Sequence, residues 1–577
     1  MKFCTQRWGD KYDGYLYFFQ RLEEMLFHYS DDIVKVPVHN TRTLIEEYLK
    51  NENEAQKGNV KPYQLEQISQ ELQESIKKDN ILIKNLGNEF VSTVSDRIKH
   101  DKTDIIRFIK NKINGKTYFY WCKDYLQEHI TEPKHKDEIE FGLRAWIVEI
   151  INYGYTPEYV YNYLRLCMKD VVHEPTELFK NFLNNFSFEK NSFRVYFMFS
   201  PNLLDYRELF SKRLTVCFDD DGYFSSIKTR KHDFIGYIDI DALDRYKAVT
   251  NSYKRIQTFI KYYRAISNRK NQLIRVYSYV RKLDEVYKYQ IPIESIGFRS
   301  YETSPYEDIK KSVDYAIIGC QSNSSVTNEQ INKILDIHNE VINQKNLNDA
   351  FINLWSILEI VVCDIPMESK IEKVIQGILP ILEKDYFSTV LENIADDLED
   401  NLSKKDYKNL IRELQPYDDI RYAIGSFIFS SKFEKLREVY FEKLKKYPVI
   451  RHKIYCLWVL RNSKSDIIKL SNKYGQRVKW HIYRLYRTRN AIVHSGENDK
   501  QIQALIEHLH IYVDQVIFEV LIKLAFEPTI GTFTDVIIDT KLLLSKRNGV
   551  FCDNSNITDN DIKMLLNSYY YESNSAI

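Results

Sequence analysis

YRLYRTRNAIVHSG, residues 483–496, is the stretch on which the expected fold of this chain depends. It predicts the last turns of a helix, because it ends at Gly496 and glycine is the usual residue just past a helix C-terminus. One face of this helix carries four polar residues at the spacing i, i+4, i+7 and i+11. We expect this face to be exposed, and its residues are Tyr483, Arg487, Asn490 and His494.

The other side of the same helix predicts a packing face, formed by Ile482, Leu485, Tyr486, Ile492 and Val493. Arg489 falls within that face, and a buried arginine is unfavourable unless an acidic group pairs with it. Glu359 is the candidate partner, because it lies in the apolar stripe of segment 346–363 and glutamate is rarely buried without a partner. The alternative is that Glu359 reaches solvent at the edge of that stripe.

The composition indicates a globular protein with more than one domain. A chain of 577 residues exceeds what one hydrophobic core organises, so about two to four domains are expected. No stretch approaches the roughly 20 apolar residues of a membrane span, and the N-terminus lacks the apolar core of a signal peptide. The eight cysteines form no CxxC pair, which argues against a zinc ribbon. We therefore expect a cytoplasmic protein with no membrane partner.

The hydrophobic periodicity predicts a mainly α protein in four parts. Residues 1–187 form a helical N-terminal region, which is a candidate sensor or regulatory part. Residues 188–327 form a small α+β domain. Residues 328–525 form a helical bundle, with inserted helices around 385–450. Residues 526–577 form a C-terminal extension with one helix near its end.

The central region is the only part in which strands are expected. Segment 219–222, Asp-Asp-Asp-Gly, predicts a hairpin turn, because Asp-Gly is favoured there for backbone reasons. An acidic triplet can also indicate a metal site, which is the weaker interpretation. A helix is expected over 242–266. The predicted strands are 193–199, 213–218, 223–228, 235–240, 273–280 and a short run at 313–318.

The run from Arg451 to Asn490 is strongly basic, although the whole chain has a formal charge of only +1. Eleven Lys and Arg residues face the single acid Asp466, and aromatic residues are interleaved with them. Basic residues with aromatics are what phosphate attraction and base stacking require. The alternative is a solvated helix with aromatic core residues. The candidate RNA-binding residues are Arg477, Lys479 and Arg484.

Residues 489–494 have the form R-N-x-x-x-H, and this run resembles the signature of HEPN domains. The flanking residues, LYR before and SG after, resemble the ApeA-like branch found in prokaryotic defence proteins. Segment 354–359, LWSILE, is similar to the first core helix of that branch, in which an acidic residue follows an apolar pair. The resemblance covers about residues 328–525.

The resemblance implies a four-helix bundle that is commonly dimeric, and a metal-independent endoribonuclease without a cofactor. By resemblance, His494 acts in acid–base chemistry, helping a 2′-OH attack the adjacent phosphate and leave a 2′,3′-cyclic end. Imidazole suits this role because it titrates near neutral pH. Asn490 would orient His494 or a phosphate oxygen, and Arg489 would stabilise charge at the phosphate. The RNA substrate would be tRNA, mRNA or rRNA.

Arg489 and His494 diverge by about 140° around a straight helix, because five residues separate them. One explanation is that Arg489 is structural and pairs with Glu359, which leaves Arg487 to face the substrate. The other is that two copies of the chain meet in a dimer and each site combines residues from both. We favour the dimer.

Three interpretations of function follow. The first is an RNase effector of abortive-infection anti-phage defence, in which residues 1–327 sense infection, for example through a phage-derived trigger, or restrain the nuclease. The second is a non-catalytic HEPN module that binds nucleotide or RNA, or serves as a scaffold in a defence or toxin–antitoxin assembly. The third is a structural helical protein in which the motif is coincidental. The chain has no GxxxxGK[ST] sequence, which argues against an ATP-driven sensor.

Overall fold

The structure of the chain is a computed structural model, and it is mainly helical. The predicted fold class is confirmed at that level. The structure describes residues 1–577 except for 6–7, 28–29, 59, 100–101, 133, 170–173, 202, 204–207, 209–210, 212–215, 218–233, 268–273, 294–324, 345, 415–418, 497–500, 528 and 567–577.

The chain forms two compact units. The larger contains Met1–Val148, Met168–Glu177 and Ser300–Ile577, and the smaller contains Glu149–Cys167 and Leu178–Arg299. The N-terminal helices therefore share a unit with the C-terminal helices. This division differs from the four parts predicted from the sequence, because hydrophobic periodicity identifies helices but not the helices against which they pack.

Ten helices precede the first strand of the described chain. They are α1 (Asp13–Leu26), α2 (Thr41–Gln56), α3 (Pro62–Lys77), α4 (Asn80–Leu86), α5 (Asn88–Arg97), α6 (Lys102–Lys112), α7 (Gly115–His129), α8 (Lys136–Tyr153), α9 (Pro157–Cys167) and α10 (Pro175–Asn184).

The smaller unit contains an antiparallel sheet of four described strands in the order β2-β1-β3-β4. The strands are β1 (Asn191–Phe199), β2 (Phe234–Ala242), β3 (Ile274–Lys282) and β4 (Tyr289–Pro292). Helix α11 (Arg245–Ser267) packs on the sheet, where alternate residues of β1 point into a common core.

The predicted strands at 193–199, 235–240 and 273–280 are confirmed, and so is the helix over 242–266. Cys217, inside the predicted strand 213–218, pairs with Tyr237 of β2 in an isolated bridge. The rest of that segment apart from Val216 lies outside the described residues, as do the strand at 223–228, the turn at 219–222 and the run at 313–318.

Twelve described helices follow the sheet, including those of the predicted insertion at 385–450. They are α12 (Ser325–Ile342), α13 (Leu347–Val361), α14 (Lys370–Lys384), α15 (Tyr386–Asn401), α16 (Lys404–Glu413), α17 (Ile420–Phe429), α18 (Glu434–Lys443), α19 (Pro448–Val459), α20 (Lys464–Ser495), α21 (Ile502–Phe526), α22 (Phe533–Val550) and α23 (Asp559–Leu565).

Helix α20 is the longest described helix, with 32 residues. It begins after Ser463, whose hydroxyl accepts a hydrogen bond from the Asp466 amide, and it ends at Gly496, whose φ is 65°. The Gly496 amide donates to the Ile492 carbonyl at 3.1 Å. A left-handed residue is accommodated best by glycine, so the predicted helix end is confirmed. Helices α13 and α14 pack on each other, and both pack on α20 and α21.

Helix α22 was not expected from the sequence. Its buried residues recur at helical spacing, at Val536, Ile537, Thr540 and Leu544. Large apolar residues also occur on its solvent side, where Ile538 is 51% and Leu542 is 64% exposed. An apolar face on each side removes the amphipathic signal by which a surface helix is recognised.

Replacing Gly14 with alanine should destabilise the larger unit, because a Cβ at Gly14 would lie 2.2 Å from the carbonyl oxygen of Ile130. Overpacking of this kind costs about 1–3 kcal/mol or more. The measurement is the apparent Tm and the urea midpoint. Gly549→Ala is the control, because no atom lies within 4 Å of the added Cβ, and it should leave the midpoint unchanged or slightly higher. Equal midpoints for the two variants would contradict this packing.

Candidate functional site

The last two turns of α20 carry three of the predicted site residues. His494 is exposed, whereas Asn490 and Arg489 are half-buried. Arg489 Nη1 donates a hydrogen bond to Asn490 Oδ1 at 3.3 Å. Asn490 lies one turn before His494, so the amide is placed between the guanidinium and the imidazole on the helix surface.

Tyr483 and Arg487 lie on the same helix face but are buried, so the prediction of an exposed face is wrong for these two residues. Tyr483 is 3% and Arg487 is 8% exposed. The Tyr483 hydroxyl donates to the Glu372 carboxylate on α14, and Arg487 Nη2 donates to Glu47 Oε1 on α2 at 2.7 Å. The face is covered because side chains of α2 and α14 contact it.

Arg484 is also buried, at 6% exposure, and it forms ion pairs instead of facing solvent. Its Nη2 donates to Glu47 at 2.9 Å and to Glu71 on α3 at 2.6 Å. Arg477 Nη2 donates to the fully buried carboxylate of Asp32 at 2.8 Å. The prediction that Arg484 presents its charge to RNA is therefore wrong, and Arg477 is held by Asp32 with 42% of its side chain exposed.

The same neutralisation extends along most of the basic run that the sequence shows. Lys479, the third candidate RNA-binding residue, is half-buried. Acids from elsewhere in the larger unit pair with the earlier members of the run, because burial of a cation requires a counter-charge. These pairs are Arg451 with Asp13, Lys453 with Glu24 and Asp397, and Lys464 with Asp561.

Glu47 is the centre of this ion-pair cluster. Burial favours its neutral form, but the guanidiniums of Arg484 and Arg487 outweigh burial and hold the pKa of Glu47 well below its usual range. Burial raises the pKa of Glu71 even though Arg484 contacts it. Two guanidiniums contact Glu47, so Glu47 carries the negative charge that holds this part of α20 in place.

Several donors near the end of α20 have no acceptor among the described residues. Arg487 Nε and Nη1 and Arg489 Nε are buried and have no hydrogen-bond partner among the described residues. A buried donor without an acceptor costs about 1–3 kcal/mol. An anionic group bound at this end of the helix would satisfy these donors.

Glu359 does not form the predicted ion pair with Arg489 in the part of the chain that the structure describes. Its Oε1 accepts a hydrogen bond from the indole Nε1 of Trp355 at 3.0 Å. The Trp355 ring packs against Tyr486 of α20, with ring centroids 5.7 Å apart. Glu359 is half-buried, and a carboxylate in that position needs a hydrogen-bond donor. The indole of Trp355, one turn earlier, is that donor.

Two clusters of described residues could hold a metal ion, and neither includes a residue from the end of α20. One consists of Asp137, His452 and Cys456, and the other of His338, His510 and Asp514. His508 and His510 contact different neighbours: His508 packs edge-on against His481, whereas His510 stacks on His338. The two side chains therefore point to different sides of α21.

No protein-family model matches the chain, and neither a curated protein nor a solved structure matches it. None of the described helices has an apolar stretch long enough to cross a membrane. The residues missed by the sequence analysis are the carboxylates that hold α20, namely Asp32, Glu47 and Glu71. The signal available was the excess of basic residues in α20, which indicates acidic partners but not their positions.

Two largely buried histidines are neutral in the folded chain, so their contribution to stability should fall as the pH is lowered from 7 to 5. Burial lowers the pKa of His39 to about 3 and that of His508 to about 3. The unfolded chain takes up these protons below about pH 6.5, so each histidine removes about 1.4 kcal/mol per pH unit below that value. Urea unfolding at several pH values measures this slope.

The double variant His39→Gln/His508→Gln should flatten the slope. Ile45→Val is the matched control, because Ile45 is buried on α2 and has no ionisable group. This control should lower stability at every pH and leave the slope as in the wild type. A double variant whose slope equals that of the wild type would show that these histidines are not held neutral.

Proposed function

We propose that the chain is a metal-independent endoribonuclease of the HEPN type and acts as an abortive-infection effector of prokaryotic anti-phage defence. The observation that carries the proposal is the end of α20, where His494 is exposed beside Asn490 and Arg489 is hydrogen-bonded to Asn490. The packing of α13 and α14 on each other, and of both on α20 and α21, supports a HEPN-like four-helix bundle.

The reaction transfers the phosphoryl group from the 5′-oxygen to the 2′-oxygen. A base removes the 2′-OH proton, the 2′-oxygen attacks the phosphorus, and an acid protonates the leaving 5′-oxygen. The product ends are a 2′,3′-cyclic phosphate and a 5′-OH. Imidazole serves both roles at neutral pH. His494 takes one of these roles and a water molecule the other, and the proposal places His494 of one copy and Arg489 of the other at each of two symmetric clefts.

Arg489 is the cation proposed to face the phosphate. It is half-buried, it is tied to Asn490, and its Nε has no partner among the described residues. A phosphate oxygen would accept from this donor, and a charge-assisted hydrogen bond of that kind is stronger than a neutral one. Arg484 and Arg487 have a different part, because their ion pairs with Glu47 fix the helix one to two turns before the site.

The half-buried Lys479 and the partly exposed Arg477 are the remaining candidates for contact with the RNA backbone. Single phosphate contacts of this kind add affinity that weakens with salt, without sequence preference. The RNA class therefore depends on parts of the protein beyond the end of α20.

Replacing His494 with alanine should reduce cleavage of total bacterial RNA in EDTA by at least about 100-fold, because acid–base groups contribute about 10²–10⁴-fold. Denaturing electrophoresis measures cleavage, and chemical mapping of the fragment ends should find 2′,3′-cyclic phosphates. Val493→Ala is the matched control, because Val493 is an exposed neighbour, and this variant should cleave like the wild type.

Cleavage that requires Mg²⁺, or an active His494→Ala variant, would contradict the assigned chemistry. A wild-type protein that binds RNA without cutting it, and whose expression leaves cellular RNA ends unchanged, would support a non-catalytic binding module instead.

A mixed dimer tests whether each cleft combines residues from two chains. Arg489→Ala and His494→Ala should each be inactive alone, whereas a purified heterodimer of the two should regain roughly half of the wild-type activity, because one of its two symmetric sites is intact. Two separable tags and light scattering identify the heterodimer. An inactive heterodimer, or an active wild-type monomer, would show that one chain holds the whole site.

A further inference from the structure

Three side chains with metal-binding donors meet on the larger unit. His452 and Cys456 lie one turn apart on α19, and Asp137 lies in the first turn of α8. His452 Nε2 is 3.2 Å from Asp137 Oδ1 and 3.5 Å from Cys456 Sγ. The carboxylate and thiol are exposed, whereas the imidazole is 16% exposed.

These separations match the edges of a tetrahedral zinc site. Metal–ligand distances of about 2.0–2.1 Å for nitrogen and oxygen and about 2.3 Å for sulfur place N and O about 3.3 Å apart and N and S about 3.5 Å apart. The observed separations are 3.2 and 3.5 Å. Imidazole, thiolate and carboxylate are donors that zinc accepts together, and the exposed side of the cluster leaves the fourth position to water.

The surroundings hold the imidazole of His452 in place. The Tyr17 ring packs edge-on against His452, with centroids 5.3 Å apart, and limits rotation of the imidazole. Two neighbouring cations, Lys136 and Arg451, share the carboxylate of Asp13, which compensates one of their two charges. Limited rotation of a ligand lowers the entropy lost on binding.

A Cys–His–Asp nucleophile arrangement explains the cluster less well. Such a triad uses one imidazole nitrogen for the nucleophile and the other for the carboxylate. Here both Cys456 Sγ and Asp137 Oδ1 lie nearer to Nε2, and the sulfur is 3.9 Å from Nδ1. The sulfur and the carboxylate oxygen thus both lie near the lone pair of Nε2, which is the arrangement expected when all three atoms bind one ion.

The cluster of His338, His510 and Asp514 is less suited to binding one ion. Its two imidazoles are nearly parallel, with an interplanar angle of 13° and centroids 5.2 Å apart. The lone pairs of stacked parallel rings do not converge on one point, whereas ligands of one ion must direct their lone pairs at it.

We propose that Asp137, His452 and Cys456 bind one zinc ion. The ion joins α8 to α19, which are distant in sequence, and binding releases the thiol proton to solvent because thiolate is the ligand form. The site is separate from the proposed nuclease chemistry at the end of α20, and RNA cleavage in EDTA does not depend on it.

Co²⁺ titration of the full-length protein tests the site, because thiolate–Co²⁺ bonds give a charge-transfer band that oxygen ligands do not. One equivalent should produce the band and the strong visible absorption of tetrahedral Co²⁺, and one equivalent of Zn²⁺ should remove both. Cys456→Ser should lose the band. Cys552→Ser is the matched control, because Cys552 is exposed and its thiol donates to the Gly549 carbonyl, and it should keep the band.

Asp137→Asn guards against a folding artefact, because the Asp137 side chain is 86% exposed and its loss leaves the core intact. This variant should weaken Zn²⁺ affinity by more than about tenfold while its metal-free apparent Tm stays that of the wild type. Absence of the band in the wild type, or a band that persists in Cys456→Ser, would overturn the proposal. Zinc retained by Cys456→Ser but lost from His338→Ala would place the ion at the other cluster.

Discussion

Ion pairs between α20 and the N-terminal part of the chain are the interactions on which the larger unit depends. Arg484 and Arg487 would be unfavourable inside the protein alone, and Glu47 and Glu71 supply their counter-charges. The partly exposed Arg477 in turn supplies the counter-charge of the fully buried Asp32. Removal of one member of a buried pair costs about 3–5 kcal/mol, because the other charge stays buried. This constraint explains why the first 148 residues share a unit with the C-terminal helices. It also explains how a strongly basic segment exists in a chain whose formal charge is only +1.

The same helix has two chemically different parts. The turns that contain Arg477, Arg484 and Arg487 are anchored by carboxylates, whereas the last turns carry the exposed His494 and the half-buried Asn490. Anchoring within two turns of the candidate site limits the motion of its side chains, and a positioned acid–base group requires such support. Arg484 and Arg487 thus have the charge and spacing expected for substrate contact, but their ion pairs position the neighbouring residues of the helix.

Local features could be predicted from the sequence and long-range pairings could not. The helix end at Gly496 and the strands β1–β3 follow from a cap residue and from periodicity, which are properties of adjacent residues. Glu47 and Glu71 look like ordinary solvent-facing acids on amphipathic helices, so nothing nearby in the sequence marks them as partners of Arg484. Glu359 drew attention because of its apolar surroundings, but Trp355 one turn away satisfies it. Asp137 likewise reaches His452 only in the folded chain.

The separation of these partners along the chain has a consequence for biosynthesis. Glu47 and Arg484 are 437 residues apart, so at about 5–20 residues per second the carboxylate leaves the ribosome roughly 20–90 s before its guanidinium. During this interval α20 has not yet been made, so the nascent N-terminal helices cannot pack against it. Helix α20 can pair with Glu47 only after these 437 residues have been added, and the helix end that carries His494 leaves the ribosome after Arg484. The order of translation therefore keeps the candidate site unassembled until α20 has been made.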